Sequence, residues 1–319
     1  MPTVSVIITT HNRPEMLPRA VASAFGAGRD PEVVVVDDAS TDETARVCRT
    51  LAGIKYVRLE ENQGVAGARN VGVLHSGGEY LCFLDDDDVR LEHSLDLQSA
   101  ALDSAPDAGL VYARALIDRQ GETRGRNFYP QHCPEGDIFW ELLGQNFIPC
   151  GSVLFRRSCL ARVGLLDSSA PGIDDWDLWL RIAAQYPVLA LERPVMVWRG
   201  STPTSGQGSS RPHELVALST RQFRRKWLKL SRAASATASE RQRAWRLFSK
   251  NAAGQLIFEA ARALGSRRFL QAQACVRPAV CLHPRGLLRW AAGSALRRLR
   301  GRAGERPRAG ETRPHTTDR

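Results

Sequence analysis

The sequence contains no apolar run near the ~18 residues that a membrane-spanning helix needs. Stretches such as Val33 to Val36 and Leu81 to Leu84 are short, so no transmembrane helix is predicted. It also has no CxxC pair. Its seven cysteines, Cys48, Cys82, Cys133, Cys150, Cys159, Cys275 and Cys281, are odd in number and widely spaced. That excludes a disulfide scaffold and sets up no zinc ligand pattern, so reduced and mostly buried thiols are expected. Neither G-x-x-x-x-G-K-[ST] nor G-x-G-x-x-G occurs, and Gly64-Val65-Ala66-Gly67-Ala68 matches neither. A bound diphosphate is therefore expected to be held by a metal rather than by a Gly-rich nest. The start, Met1-Pro2-Thr3-Val4, lacks the basic and apolar segments of a signal peptide, which predicts a cytoplasmic protein.

What the sequence does contain is ordinary globular composition, 319 residues with 43% hydrophobic and 24% charged residues, and no internal repeat. A largely disordered chain is excluded. The net charge of +10 is unevenly spread. Residues 1–210 hold 19 Lys+Arg and 28 Asp+Glu, a net −9, whereas residues 211–319 hold 25 and 6, a net +19. The acidic part suits a metal and a polyanionic ligand, the basic part an anionic surface. The Ser/Pro/Gly/Thr-rich stretch 200–212 reads as a loop between them. Three parts are thus expected: a catalytic domain over 1–210, a basic helical region over 211–300, and a disordered tail over 301–319, where large apolar residues almost vanish.

The β-branched run Val4 to Thr10 predicts a buried strand. Asn12-Arg13-Pro14 predicts a turn and a helix to about Phe25. Val33 to Val36 reads as a second strand ending at Asp37-Asp38. Ser40-Thr41-Asp42-Glu43 reads as a capping box opening a helix to Leu51. A strand over Ile54 to Leu59, a helix over 65–75 and a strand over Glu79 to Leu84 follow, the last running into Asp85-Asp86-Asp87-Asp88. This alternation predicts an α/β fold with a mostly parallel, Rossmann-like sheet flanked by helices. Further on, Leu91 to Leu102 predicts a helix, and Gly109 to Ile117 and Gly151 to Arg156 predict strands. Asp174 to Gln185 predicts an amphipathic helix, with Trp176 and Trp179 on its apolar face, and Val188 to Trp198 is β-prone.

In such sheets ligands bind at the carboxyl ends of the strands. Three polar clusters fall there: Thr9 to Asn12, Asp37-Asp38 and Asp85 to Asp88. Four adjacent aspartates repel one another and need a cation or solvent. A hard divalent ion, Mn²⁺ or Mg²⁺, fits carboxylate oxygens and can share its shell with phosphate. A solvated acidic turn is the alternative for an isolated run, and the strand-end setting favours the ion.

The ordered segments TTHNR (Thr9 to Arg13), VDDAST (Val36 to Thr41), ENQGVAGARNVG (Glu61 to Gly72), GEYLCFLDDDD (Gly78 to Asp88) and DDWDLWLR (Asp174 to Arg181) resemble glycosyltransferase family 2 over residues 3–200. The resemblance implies a GT-A fold, to which the charge and apolar spacing of residues 211–300 add a basic α-helical C-terminal extension. It implies inverting transfer from a nucleotide-sugar donor, of the UDP type, to a glycan or lipid-linked acceptor. A nucleic-acid partner is suggested only by the +19 charge of the C-terminal part, where no aromatic-basic or helix-turn-helix motif occurs, and none is expected. By the same resemblance Thr9 contacts the nucleoside, Asp38 bonds the uracil ring and Arg69 lies near the nucleotide. Asp85-Asp86-Asp87 is similar to the family's D-x-D, with Asp85 and Asp86 at the donor and Asp87 on the metal; Asp88 leaves the register open by one. Asp175 resembles the general base, preceded here by Asp174 where Glu is commoner. Trp198-Arg199-Gly200-Ser201 aligns with a region that often carries a His after the Arg, and Gly200 stands there.

Each residue also has a plainer reading. Asp38 and Ser40 can serve a turn and a cap, Arg69 a helix surface, and Asp174 and Asp175 a helix N-terminus. Trp176 and Trp179 suit the core better than a sugar platform, and His11 and His132 read as structural or solvated. A nucleotidyltransferase or a non-catalytic protein of the same fold are the rival functions; the first usually has a basic Gly-rich loop after its first strand, which TTHNRPE does not supply. In the basic part, Phe223, Trp227 and Leu230 recur at helical spacing, as do Leu288, Ala291, Ala292, Ala295 and Leu299. These helices read either as a solvated annex or as a peripheral contact with the anionic cytoplasmic face of the inner membrane.

Overall fold

The computed structural model describes residues 3–118, 128–199 and 211–284. The first apolar run forms β1 (Val4–Thr10), buried along its length. After it come α1 (Leu17–Gly26), β2 (Glu32–Asp37), α2 (Thr44–Thr50), β3 (Lys55–Arg58), α3 (Gly64–His75) and β4 (Tyr80–Asp85), the expected alternation. The four strands pair in parallel in the order β3-β2-β1-β4. Thr10 stands opposite Asp37 and Thr9 opposite Asp85, so three strand ends finish level with one another.

Two local expectations change. The proline in the first turn of α1 is Pro18, not Pro14. The Ser40–Glu43 capping box does not form. Ser40 Oγ instead accepts the Asn12 N–H at 2.9 Å, and the Ser40 N–H donates to Asp37 Oδ1 at 2.8 Å. Asp42 Oδ1 takes the Thr44 N–H and hydroxyl, while Glu43 pairs with Arg46. Ser40 is drawn away because it ties the β1–α1 turn, with Asn12 at a left-handed φ of 54°, to the β2–α2 turn.

The second half adds β5 (Val89–Arg90), α4 (Ser94–Asp103), β6 (Leu110–Asp118), β7 (Phe128–Tyr129), α5 (Phe139–Gly144), β8 (Leu154–Arg156), α6 (Leu160–Val163), α7 (Asp174–Ala183) and β9 (Val188–Arg199). The strand predicted from Gly151 is shortened, because Cys150–Ser152 makes a 3₁₀ turn. β8 joins β4 antiparallel, and β6 and β9 pair in parallel beyond it. The sheet is therefore mixed, its first half parallel, in the order β3-β2-β1-β4-β8-β6-β9-β5 with β7 on β6. The core lies between β1, β2, β4 and the helices α1 and α4, with Ile8, Leu17, Val35, Cys82 and Leu95 essentially inaccessible.

The C-terminal part is helical: α8 (Pro212–Arg225), a 3₁₀ turn over Trp227–Lys229, α9 (Ser231–Ser235), α10 (Ala238–Gly265) and α11 (Phe269–Leu282). Compact units divide between Asn251 and Ala252, so the charge break near residue 210 is not a packing break. Phe223, Trp227, Trp245 and Phe248 close on Trp176 as one aromatic cluster, with Trp176 and Trp227 centroids 4.7 Å apart. Trp179 packs on the other side against Phe83 and Phe155. Both tryptophans are core, as read from the sequence. α7 is amphipathic, as read from the sequence, yet buried nearly all round, since residues beyond 212 add a second cover. Residues 200–210, the Leu288–Leu299 stripe and the 301–319 tail lie outside the described residues. Among the described residues no helix is long and apolar enough to cross a membrane.

Candidate active site

The level strand ends open into a cleft of about 560 Å³. Thr9, Asp38, Arg69, Asp85, Asp86, Asp87 and Asp175 all line it. Five elements bring them together: β1 carries Thr9, the turn after β2 carries Asp38, α3 carries Arg69, β4 and its following turn carry the aspartates, and α7 carries Asp175.

At one end Asp38 is 4% exposed. Its Oδ1 accepts the Gln63 N–H at 2.7 Å, and its carbonyl accepts from Asn62 and meets His11 Nδ1. The turn entering α3 is thereby fixed against the end of β2. Gly72 seats α3 on the sheet, because a Cβ there would lie 2.3 Å from Ile7 Cγ2.

In the middle is the acid run. Oxygens of Asp85, Asp87 and Asp88 lie within 4.8 Å of one another. Asp86 points elsewhere: it accepts the Thr10 hydroxyl at 2.7 Å and Arg13 Nη1 at 2.7 Å, and Arg13 also reaches Asp87 at 3.4 Å. Asp88 accepts the Arg199 N–H at 2.9 Å. Burial, then Asp85 and Asp86, push the Asp87 carboxyl up to about 6. Burial, then Asp85 and Asp87, push Asp88 well above the usual carboxylate range. Three hard oxygen donors that repel one another this strongly match a divalent cation such as Mn²⁺ or Mg²⁺. The sequence put Asp85, Asp86 and Asp87 together as one D-x-D; in the structure the converging set is Asp85, Asp87 and Asp88.

At the other end is α7. Its first residue, Asp174, is buried and accepts Arg69 Nη1 at 2.9 Å, while Arg69 Nη2 donates to Asp85 at 2.7 Å. Arg69 also lies over the Phe83 ring, 5.3 Å from its centroid. Asp175 is half-buried on the cleft wall. Burial, then the Asp174 charge, raises its pKa to about 7, against the pull of Arg69 and of the Trp176 N–H at 2.6 Å. At this helix N-terminus desolvation and a like charge thus dominate.

Several residues in and beside the cleft were given no site role from the sequence, Arg13, Cys150, Trp198 and Tyr129 among them. Arg13, Cys150 and Trp198 line the cleft. Tyr129, its hydroxyl bonded to the Asn146 carbonyl, is close enough to Asp175 for that charge to add to burial in raising its pKa to about 12. Arg13 was findable as the cation in TTHNR. The others come from turns and an edge pairing that carry no local signature. Gly200 lies outside the described residues.

Residues 5–164, half of the chain, match the sequence model described as Glycosyl transferase family 2. A GalNAc(5)-diNAcBac-PP-undecaprenol beta-1,3-glucosyltransferase of Campylobacter jejuni is 36% identical over 129 residues, 38% of this chain and 40% of that protein. The chain spans between 33% and 61% of the length of several curated bacterial relatives. The fold is shared with mannosyltransferase PcManGT from Pyrobaculum calidifontis, solved with GDP-Man and Mn²⁺, at TM-score 0.55 and 22% identity over 88% of this chain and 86% of that one. It is shared also with Staphylococcus aureus TarS 1-349 bound to UDP-GlcNAc, at TM-score 0.52 and 16% identity over 87% and 91%. With the level strand ends, the carboxylate group and the motif series all in one cleft, the chain belongs to glycosyltransferase family 2 and has the GT-A fold.

Proposed function

We propose that the protein is an inverting glycosyltransferase that moves the sugar of a UDP-sugar onto a hydroxyl of a glycan or lipid-linked acceptor. The observation that carries this reading is Arg69, whose buried guanidinium joins Asp85 of the acid group to Asp174, the neighbour of Asp175. A donor's diphosphate and the attacking hydroxyl have to lie on opposite sides of the reacting carbon, and the bridge holds the residues for each at a fixed spacing.

Asp38 offers the oxygen not engaged by Gln63 to a uracil N–H, and Thr9 flanks the nucleoside. Asp87 would hold the divalent ion, with Asp85 and Asp88 completing the carboxylate set. When bound, the ion supplies positive charge against the diphosphate as it leaves. Asp86, on the donor's side of the cleft, holds Thr10 and Arg13 in place. Asp175 takes the proton of the acceptor hydroxyl. The acceptor oxygen bonds to the anomeric carbon from the far face, the bond from that carbon to the phosphate oxygen breaks, and its electron pair leaves with the nucleoside diphosphate. With its pKa near 7, Asp175 is partly ionised at neutral pH and strong enough to accept a proton.

The Campylobacter jejuni relative is named for a lipid-linked acceptor, and a further relative, 42% identical over 89 residues, is the succinoglycan biosynthesis protein ExoU of Rhizobium meliloti. These names support cell-surface polysaccharide synthesis; peripheral placement at the cytoplasmic face of the inner membrane is part of the same proposal. A donor screen tests the reading: nucleoside diphosphate release and calorimetric binding are followed for UDP- and GDP-sugars with Mn²⁺, Mg²⁺ or excess chelator. A UDP-sugar is expected to bind and turn over only with divalent ion. Failure of every nucleotide-sugar to bind would overturn the proposal.

A further inference from the structure

The turn between α10 and α11 exposes side chains that a water-facing turn seldom carries. Every residue from Leu264 to Leu270, LGSRRFL, is exposed. Leu264 is 51% accessible, Phe269 67% and Leu270 83%. The turn itself is well made. Arg267 sits at a left-handed φ of 57°, and the Arg268 N–H donates to the Ala263 carbonyl at 2.8 Å. The two helices bury their small-residue faces, Leu256, Ala260 and Ala263 on α10 and Ala272, Cys275 and Ala279 on α11. Glu259 of α10 lies near enough to Cys275 of α11 for its charge to add to burial in raising that thiol. The outward side of α11 keeps Val276 and Val280 at 40% and 45% accessible.

The charge around this tip has one sign. Residues 252–284 contain four arginines, Arg262, Arg267, Arg268 and Arg277, and one acid, Glu259. Glu259 is already paired with Arg262 at 2.7 Å. Arg267, Arg268 and Arg277 are exposed with no acidic neighbour in this stretch.

We propose that the α10–α11 turn is a membrane-contact tip, in which Leu264, Phe269 and Leu270 enter the outer part of an anionic phospholipid bilayer while Arg267 and Arg268 meet lipid phosphates. An apolar tip ringed by unmatched arginines fits a surface that is apolar below and anionic above. A protein groove would have to supply matching acids at its rim, and a second copy of this turn would set arginine against arginine. The contact is shallow, because the tip offers three large apolar side chains and each arginine acts only within a Debye length of about 8–10 Å. Reversible, salt-sensitive attachment follows. The inference gives residues to the membrane placement proposed above, and it holds or fails independently of the transfer reaction.

The test is flotation of the full chain with vesicles of phosphatidylcholine, with and without phosphatidylglycerol, at low and high salt. The wild type is expected to float with phosphatidylglycerol vesicles and to be released by salt. Phe269→Ser with Leu270→Ser should lower the bound-to-free ratio about ten-fold or more at an unchanged melting temperature. Arg267→Gln with Arg268→Gln should also weaken binding and flatten its salt dependence. Failure of the wild type to float overturns the proposal, as does flotation of either variant like the wild type. A serine variant that melts lower but floats normally would show that the tip packs on the chain's own residues. Donor turnover by the serine variant in lipid-free solution should match the wild type; loss of turnover in both proteins would count against the transferase reading alone.

Discussion

Asp174→Asn separates the two acids that open α7. In the structure the Asp174 charge is, after burial, the largest influence raising Asp175, whose pKa stands at about 7. The asparagine keeps the shape and can still accept the Arg69 N–H that Asp174 accepts at 2.9 Å. It removes the like charge. For adjacent carboxylates roughly 5–8 Å apart at an effective dielectric constant of about 20, the repulsion is about 2–3 kcal/mol. At ~1.36 kcal/mol per pKa unit this is an upper bound near two units, and solvent at a half-buried group reduces it to about one or two. A general base works when deprotonated, so the wild-type kcat should rise with pH and level off above about 7. In the variant the same limb should move down by about one to two units, leaving activity at pH 8 within a few-fold of wild type. The assay is initial rate of nucleoside diphosphate release at saturating donor from pH 5 to 9. An acid limb that stays near 7 in the variant would refute the assignment of that limb to Asp175. Loss of activity at every pH would show instead that Asp174 is the base.

Three further outcomes follow from the same geometry. Asp87→Ala should abolish divalent-dependent turnover while circular dichroism stays unchanged, because Asp85 and Asp88 alone leave the cation set short of a ligand; undiminished wild-type activity in excess chelator would contradict the metal's role. Gly72→Ala should cost about 1–3 kcal/mol of stability by thermal melting, since its Cβ would meet Ile7 Cγ2 at 2.3 Å and overpack a buried contact. Lys226→Met should lower stability by about 1–2 kcal/mol, after allowing for solvent at a side chain one-third exposed. Lys226 bonds Asp167 at 2.7 Å and buried Asp177 at 2.8 Å, so kcat should fall as α7 loosens while donor affinity, measured by calorimetry, holds.

The elements were legible where burial repeats along the chain. β1 and α7 start where the β-branched run and the Asp174 cluster start, because strand and helix period fix which side chains can be hidden. The Ser40–Glu43 cap was misread because Ser40 is claimed by Asn12, 28 positions away, and no local pattern carries that contact. α7 is amphipathic as read, but its near-complete burial was not legible because its second cover, Phe223, Trp227 and Phe248, arrives from beyond the charge break. In the cleft, the aspartates and Asp175 were visible from motif order. Which aspartate turns away was not, since Asp86 is drawn aside by Thr10 and Arg13 from the end of β1. Trp198 and Tyr129 were given no side-chain place at the site because the pairing of β6 with β7 and β9 brings them there.

The central claim is that one cleft binds a nucleotide-sugar through the acid group and activates the acceptor through Asp175. The most direct test compares wild type and Asp175→Asn for two quantities on the same preparation: donor affinity with Mn²⁺ by calorimetry, and kcat for sugar transfer. Donor affinity is expected within about three-fold of wild type, and kcat is expected to fall by about 100-fold or more, the range for losing a general base. An Asp175→Asn variant with wild-type kcat would contradict the account.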